Sequence, residues 1–196
     1  MKEQNRQKQP EINGEFESIR IERTLISVVD KTGLAKFAKG LANLGIEIET
    51  TTGTWRFLLQ NGLEGWQVHQ VLSDEFLGGK IKTLNPKVFV AILADRKSKR
   101  EMQELKKLWW EKHTYDLVVV NLYQEQIDVG GYALLRAAAK NYHYVVSVCD
   151  PADYQMILQE LNVNNRMIAQ ETSRRFARKN LEYLKESARQ AIKLLE

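Results

Sequence analysis

The chain of 196 residues contains a single cysteine and only three histidines. Cys149 cannot form an internal disulfide, and no histidine stands at a metal-ligand spacing from it, so the sequence predicts neither a disulfide scaffold nor a metal site. No apolar run approaches the length of about 20 residues that a transmembrane helix needs. The polar start of the chain does not read as a signal peptide. We therefore expect a cytoplasmic protein that does not insert into a membrane.

A strong excess of charge of one sign is also missing. The formal net charge is +4, from 29 lysines and arginines against 25 acidic residues. Acidic residues are interleaved with the basic ones nearly everywhere, whereas a nucleic-acid-binding protein more often presents a continuous basic stripe. The composition therefore argues against a nucleic-acid partner and is compatible with an anionic small molecule.

The chain is long enough to bury one well-packed core. Residues 1–20 are polar and mixed in charge, and we expect them to form a disordered tail. Residues 21–196 form one predicted domain in which short apolar runs alternate with helical periodicities, which is typical of a parallel sheet covered by helices on both faces. The predicted fold class is therefore α/β, with three layers and a mainly parallel sheet. The predicted strands fall at residues 24–29, 46–48, 66–71, 88–94, 117–120 and 145–149.

The last part of the chain has the pattern of a long, basic, amphipathic helix. Its apolar stripe runs from Phe176 to Leu195 and needs a surface to cover it. We expect the helix to dock on the core of its own chain and to contribute to a homodimer.

The segment from Ile127 to Asn141 places an acid and a base on one structural unit. Asp128 precedes Gly130 and Gly131, which allow a ligand to approach the backbone closely, and Lys140 stands at the end of the helix that the glycines open. We expect the Lys140 ammonium to face Asp128, and a carboxylate and an ammonium in one pocket suggest proton transfer. The alternative for this segment alone is a plain loop and helix with a surface ion pair.

Three loops that suit an anion are predicted at one edge of the sheet. In open parallel sheets, ligands bind at the carboxyl ends of the strands. There, residues 27–33 and 51–54 offer hydroxyls, backbone N–H groups and a helix N-terminus, which together suit phosphate. Residues 79–87 add three lysines. With the acid and the base, these loops favour an enzyme that acts on a phosphorylated metabolite, although ordinary helix caps and a solvated charged loop would look similar.

In their order along the chain, these motifs resemble those of IMP cyclohydrolase. The resemblance covers about residues 23–190, and its matching segments are 27–33, 51–54, 78–86, 121–123, 127–141 and 150–154. That enzyme is usually the N-terminal domain of a bifunctional purine-biosynthesis protein whose other domain is AICAR formyltransferase. The resemblance implies the methylglyoxal-synthase-like fold and the closure of formyl-AICAR to inosine monophosphate with loss of water. It implies no metal or redox cofactor, and it makes a separate AICAR formyltransferase a possible partner.

The resemblance also assigns roles to individual residues. The catalytic positions of the family fall on Lys82, Tyr123, Asp128 and Lys140. The two lysines would stabilise developing negative charge and donate a proton, Asp128 would orient the amide or accept its proton, and Tyr123 would hydrogen-bond the reacting groups. The implied nucleotide and phosphate contacts are Ser27, Lys31, Thr51, Gly53, Thr54, Lys80, Thr83, Asn121, Gly130 and Gly131.

Two departures from the family pattern bear on the site. Thr52 stands where the phosphate turn of the family has a glycine, and it adds a β-branched side chain. Only residues 124–127 connect Tyr123 to Asp128, where the family has a much longer connection. Two hypotheses therefore stand: an active, stand-alone IMP cyclohydrolase, or a catalytically silent domain that binds a purine nucleotide or another phosphorylated metabolite. Methylglyoxal synthase is a third interpretation, whose chemistry would call for a differently built acid–base site.

Overall fold

The computed structural model describes residues 18–71, 81, 83–107, 114–123 and 126–196. The strands of this part of the chain are β1 (Ser18–Arg20), β2 (Arg23–Ser27), β3 (Glu47–Thr50), β4 (Val68–Gln70), β5 (Leu117–Val120), β6 (Val146–Val148) and β7 (Met167–Ala169). The helices are α1 (Leu34–Asn43), α2 (Thr52–Gln60), α3 (Pro86–Leu93), α4 (Lys99–Lys107), α5 (Gly130–Lys140), α6 (Tyr154–Val163) and α7 (Gln170–Lys193). A short 3₁₀ turn, Pro151–Asp153, leads into α6.

Five strands form a parallel sheet in the order β4-β3-β2-β5-β6. Its register places Ile26 of β2 opposite Thr50 of β3 and Val119 of β5, so the carboxyl ends of these three strands lie side by side. All four residues of the central strand β5 are buried, as expected for a parallel strand that is covered on both faces. The predicted α/β class with a helix-covered parallel sheet is confirmed.

Each face of the sheet carries its own apolar layer. On one face, Phe37 of α1 and Ile157 of α6 are fully buried with the residues of the sheet. On the other face, Leu134 of α5 is buried in the same way. The neighbouring residues Leu25 and Ile26 of β2 point into different layers, because successive side chains of a strand alternate between its faces.

The strand that the sequence predicted at residues 88–94 is wrong, because this segment belongs to α3. The side chain of Asn85 accepts a backbone N–H two residues later at 2.9 Å, and Pro86 occupies the first turn. Both features favour the start of a helix. Val88 and Ile92, four residues apart, are buried on one helical face. A short apolar run does not distinguish a buried strand from a buried helix, and here the cap decides.

A second, antiparallel sheet of two strands joins the start of the described chain to the segment just before α7. β1 pairs with β7, with Ser18 opposite Ala169, and Ile19 between them is buried. The tail predicted for residues 1–20 therefore extends too far, since residues 18–20 are part of the domain. Residues 1–17 lie outside the described residues. Neither three-residue strand is long enough to show a periodic pattern, so β7 was not predicted.

The first half of α7 docks on the core, as predicted. Phe176 and Ala177 are buried, and Leu184 is the last buried residue of the helix. Beyond it, the side chains of Ile192 and Leu195 are 60% and 77% exposed. The homodimer remains a prediction. Within the described residues, no helix combines the length and the apolar character that crossing a bilayer requires.

Candidate active site at the carboxyl edge of the sheet

A cavity of about 580 Å³ opens where β2, β3 and β5 end. This is the edge at which the sequence predicted an anion site, and most of the predicted site residues line the cavity. Those that do are Ser27, Lys31, Thr51, Gly53, Thr54, Thr83, Asn121, Tyr123, Asp128, Gly130 and Gly131. Two further predicted residues, Lys80 and Lys82, lie outside the described residues.

Asn121 holds the loop that follows β2. Its Oδ1 accepts the N–H groups of Val29 and Asp30 at 2.6 and 3.0 Å, and its Nδ2 donates to the carbonyl of Asp30 at 2.9 Å. Asn121 follows β5 directly and is only 6% exposed. The loop that carries Ser27 and Lys31 is therefore already shaped in the free protein, which lowers the cost of ordering it when a ligand binds.

Three hydroxyls meet beside the first turn of α2. The Oγ1 of Thr51 lies 3.3 Å from the Oγ of Ser27 and 3.5 Å from the Oγ1 of Thr54. The Oγ1 of Thr54 in turn accepts the N–H of Val28 at 3.4 Å. Thr51 is the N-cap residue of α2, but its side chain does not cap the helix. Hydroxyls next to an uncapped helix N-terminus form a favourable environment for a phosphate.

Gly53 lines the same part of the cavity, and a Cβ built on it meets no atom within 4 Å. The neighbouring residue Thr52, which replaces a family glycine, does not line the cavity. Its Oγ1 accepts a hydrogen bond from Nε2 of Gln70 at 2.8 Å. The extra side chain is thus turned towards β4, so this departure from the family pattern leaves the anion site open.

The two glycines that begin α5 pack too tightly for any side chain. A Cβ on Gly130 would lie 2.5 Å from the Oγ1 of Thr83, and one on Gly131 would lie 2.8 Å from the Cδ2 of Leu122. The N–H of Gly131 donates to the Oδ1 of Asp128 at 2.8 Å. Asp128 is therefore fixed at the N-terminus of α5, where the helix dipole favours a negative charge.

The structure separates Lys140 from Asp128. Asp128 stands at the start of α5 and Lys140 at its end, and at 1.5 Å per residue the helix spans about 15 Å. Lys140 is exposed in the last turn, where its charge interacts favourably with the helix C-terminus. The expectation that its ammonium faces Asp128 is wrong for this chain. The sequence already placed Asp128 before α5 and Lys140 at its end, and the expected contact did not allow for the length of the helix between them.

Four exposed side chains form an apolar rim around the cavity. Val29, Tyr123, Ile127 and Val129 are 37%, 49%, 55% and 60% exposed and all line the opening. Except for Tyr123, these residues were not predicted to belong to the site. An exposed apolar residue in a loop belongs to no periodic pattern that could identify it. The signal in the sequence was position: Ile127 and Val129 flank Asp128, and Val29 follows Ser27 closely.

The charged side chains of the cavity are few. Among the described residues that line it, Lys31 is the cation and Asp128 is the acid. The Nζ of Lys31 lies 3.3 Å from the carbonyl oxygen of Val29 and 5.9 Å from the ring centre of Phe57. In the part of the chain that the structure describes, no group of three His, Cys, Asp or Glu residues is arranged to hold a metal ion. One cavity is thus lined both by a group of hydroxyls next to a helix N-terminus, which suits an anion, and by a carboxylate.

Comparison with known proteins identifies the family. Residues 33–143 match the family described as the MGS-like domain, and residues 138–192 match the family described as the AICARFT/IMPCHase bienzyme. The bifunctional purine biosynthesis protein PurH of Ruminiclostridium cellulolyticum is 43% identical in an alignment of 159 positions, which covers 72% of this chain and 30% of that protein. The crystal structure of ForH is 29% identical, with a TM-score of 0.80, and the match covers 90% of this chain and 100% of ForH.

The chain thus spans about 30% of the length of the bifunctional relative. The two family matches together run from residue 33 to residue 192, so they include the turn at the start of α5 and the terminal helix. The resemblance that the motifs indicated is confirmed. The chain belongs to the family of MGS-like domains, and within it resembles the IMP cyclohydrolase domain of the bifunctional purine-biosynthesis proteins.

Proposed function

We propose that this protein is an IMP cyclohydrolase, which closes formyl-AICAR to inosine monophosphate with loss of water. One observation carries the proposal: a single cavity is lined both by the hydroxyl-bearing residues Ser27, Thr51 and Thr54 and by Asp128. The match to the AICARFT/IMPCHase family and the similarity to PurH support this reaction over other chemistry on the same fold.

Two groups of cavity residues, the hydroxyls next to α2 and the residues around Asp128, suit the two ends of such a substrate. A 5′-phosphate would bind at the hydroxyls of Ser27, Thr51 and Thr54, next to Lys31 and the N-terminus of α2. The flat heterocycle would then lie between the apolar rim and the start of α5, with its reacting groups towards Asp128. Contact between an aromatic ring and apolar or aromatic side chains is favourable. The rim, which is exposed in the free protein, would therefore be covered by the heterocycle when the substrate binds.

The reaction needs a better nucleophile than a carboxamide nitrogen. As the C–N bond forms, the carboxamide nitrogen loses one proton and the formyl oxygen gains one and becomes a hydroxyl. The hydroxyl then takes a second proton and leaves as water, while the formamido nitrogen loses its proton and the ring C=N bond forms. Asp128, whose Oδ1 accepts the N–H of Gly131, would take up the carboxamide proton. Tyr123 would hydrogen-bond the formyl oxygen as charge develops on it. Lys82, assigned by the family resemblance, would donate the proton to the leaving hydroxyl.

The second candidate function is a silent nucleotide-binding domain. The observation that favours it is the exposure of the rim, where Tyr123 and Ile127 are about half exposed. An open rim admits water, which weakens the electrostatic interactions on which acid–base catalysis depends. Placement of Lys140 outside the cavity also removes one residue from the catalytic set that the resemblance implied.

Two further proposals concern partners. Formyl-AICAR is the product of an AICAR formyltransferase, so we propose a separate enzyme of this kind as the source of the substrate in the cytoplasm. The exposed apolar residues Ile192, near the end of α7, and Leu195, just after it, would be covered in a homodimer. Sedimentation of the purified protein would test the dimer.

The proposed function is tested by incubation of the purified protein with formyl-AICAR. Formation of inosine monophosphate, followed by absorbance, is the expected result. Binding of inosine monophosphate without turnover would identify the silent domain instead. Binding is detected as a rise in the melting temperature, since a ligand that binds the folded state stabilises it. Neither turnover nor binding at millimolar concentration would contradict both functions.

A further inference from the structure

A hydroxyl from the terminal helix completes the hydrogen bonding of the loop after β5. The N–H of Leu122 donates to the Oη of Tyr183 at 3.0 Å, across 61 residues of sequence. The pairing of β5 with β2 ends at Val120, opposite Ser27, so this ladder offers Leu122 no partner. Leu122 is only 5% exposed, and a buried backbone N–H is costly to leave unpaired. Tyr183 supplies the missing acceptor.

Leu122 links the loop after β2 to the start of α5, and both of these segments contribute residues to the cavity. The residue before it, Asn121, clamps the anion loop, and the residue after it, Tyr123, lines the opening. Its own side chain lies against Gly131, where an added Cβ would come within 2.8 Å of it. Gly131 in turn holds Asp128 through its N–H. A shift of the Leu122 backbone would therefore disturb both the loop after β2 and the start of α5.

Tyr183 is itself presented by a firmly held stretch of α7. One turn earlier, the Nζ of Lys179 lies 2.8 Å from the Oδ2 of Asp150 and 2.7 Å from the Oδ2 of Asp153. Residues four apart lie on the same face of a helix, so Lys179 and Tyr183 both point at the loops on the carboxyl edge of the sheet. The adjacent Leu184 is buried in the core. The hydroxyl is thus fixed relative to the sheet.

The phenol of Tyr183 keeps its proton near neutral pH. Burial raises its pKa, the N–H of Leu122 lowers it, and the nearby Cys149 and Asp128 raise it further.

We infer that Tyr183 is a positioning residue, which accepts the N–H of Leu122 and so fixes residues 121–123 relative to Asp128. The terminal helix is then part of the site, although none of its residues lines the cavity. As far as turnover is concerned, this inference rests on the proposed cyclohydrolase function. The positioning of the loop does not depend on that function.

The test is the substitution Tyr183→Phe, which removes one hydroxyl and keeps the ring. Its matched control is Tyr144→Phe. Tyr144 donates to Asp95 at 2.7 Å, and since it precedes β6 it lies at the amino edge of the sheet, away from the cavity. The melting temperatures of both variants check that they fold. Amide exchange measured by NMR should become about tenfold faster or more at Leu122 in Tyr183→Phe and stay unchanged there in the control.

Turnover provides the readout that a merely structural role would not move. Tyr183→Phe should lower kcat about tenfold and raise KM by less, about threefold at most, because the three hydroxyls that would hold the phosphate contact one another. Unchanged exchange at Leu122, or an unchanged kcat, would overturn the inference. If the wild-type protein is inactive, the proposed function fails and the amide chemical shift of Gly131 decides instead. The Gly131 amide chemical shift should change in Tyr183→Phe and not in the control. An unchanged Gly131 chemical shift in Tyr183→Phe would overturn the inference.

Discussion

Gly130 lies so close to Thr83 that a Cβ on the glycine would stand 2.5 Å from the threonine hydroxyl oxygen. This contact joins the start of α5 to the segment that the sequence predicted as the third anion loop. The close approach of the two residues explains why position 130 is a glycine, since the methyl group of an alanine there would have to displace the Thr83 hydroxyl.

A double substitution tests this relationship. Gly130→Ala should lower the melting temperature, because the added methyl group overlaps the Thr83 hydroxyl. Adding Thr83→Ala should restore most of it, since the nearest remaining atom, the Cβ at position 83, lies 3.9 Å from the added methyl group. Thermal unfolding of both single variants and the double variant measures the coupling. Additive losses would show that the two residues do not interact.

Gly53 offers a separate test of the anion site. A methyl group fits there without touching the protein, so Gly53→Ala should keep the melting temperature or raise it, since alanine is favoured in a helix by about 1 kcal/mol. The added methyl group should nevertheless weaken phosphate binding, because it occupies the cavity. Gly65→Ala is the control, since a Cβ at Gly65 also meets nothing within 4 Å and that residue does not line the cavity. Equal affinities for inosine monophosphate in the two variants would place the phosphate elsewhere.

The ion pair of Lys179 predicts a dependence of stability on pH. The hydrogen bond from Lys179 and the N–H of Ala152 hold the pKa of Asp150 below its ordinary value. A carboxyl group whose pKa is depressed by folding contributes stability above its unfolded pKa, and this contribution is lost as the pH falls through the folded pKa. Lys179→Met should therefore lower the melting temperature at pH 7, and the difference from wild type should shrink as the pH falls below about 4, the ordinary pKa of an aspartate. A difference that stays constant with pH would exclude the ion pair as its cause.

Asn180 is a buried amide on the docked face of α7. It is fully buried, and neither atom of its amide has a hydrogen-bond partner among the described residues. Unpaired buried polar groups cost about 1–3 kcal/mol each, so Asn180→Ala should raise the melting temperature. Ser173→Ala should lower it, because the buried Oγ of Ser173 donates to the carbonyl of Tyr142 at 2.7 Å. A loss of stability in Asn180→Ala would indicate that the amide has a partner.

Much of the fold follows from local patterns in the sequence. The run at residues 117–120 is apolar throughout and rich in valine, and it forms β5 with the predicted boundaries. The glycines at 130 and 131 begin α5 as predicted. The segment at 88–94 was misassigned because its apolar run is too short to show a period, and the helix is set by Asn85 and Pro86 instead.

The location of the site was predictable, because the loops after parallel strands lie at one edge of a sheet. Contacts that depend on the direction of a single side chain were not predictable. Parallel strands end at one edge, so the loops containing Ser27 and Thr51 were expected to meet, and they do. The sequence placed Lys140 at the end of the helix that Gly130 and Gly131 open, but the expected contact with Asp128 needed side-chain directions that a sequence pattern does not give. Nor could it show that a tyrosine on α7 reaches the loop after β5, because that contact depends on the docking of a helix 61 residues away.

The most direct test of the proposed function is the rate of inosine monophosphate formation from formyl-AICAR in wild type, Asp128→Asn and Lys140→Met. Asparagine keeps an oxygen for the N–H of Gly131 but cannot take up a proton, so kcat should fall by about a hundredfold or more while product affinity is kept. Lys140 lies at the far end of α5, so Lys140→Met should stay within about threefold of wild type. A wild-type rate in Asp128→Asn would contradict the account.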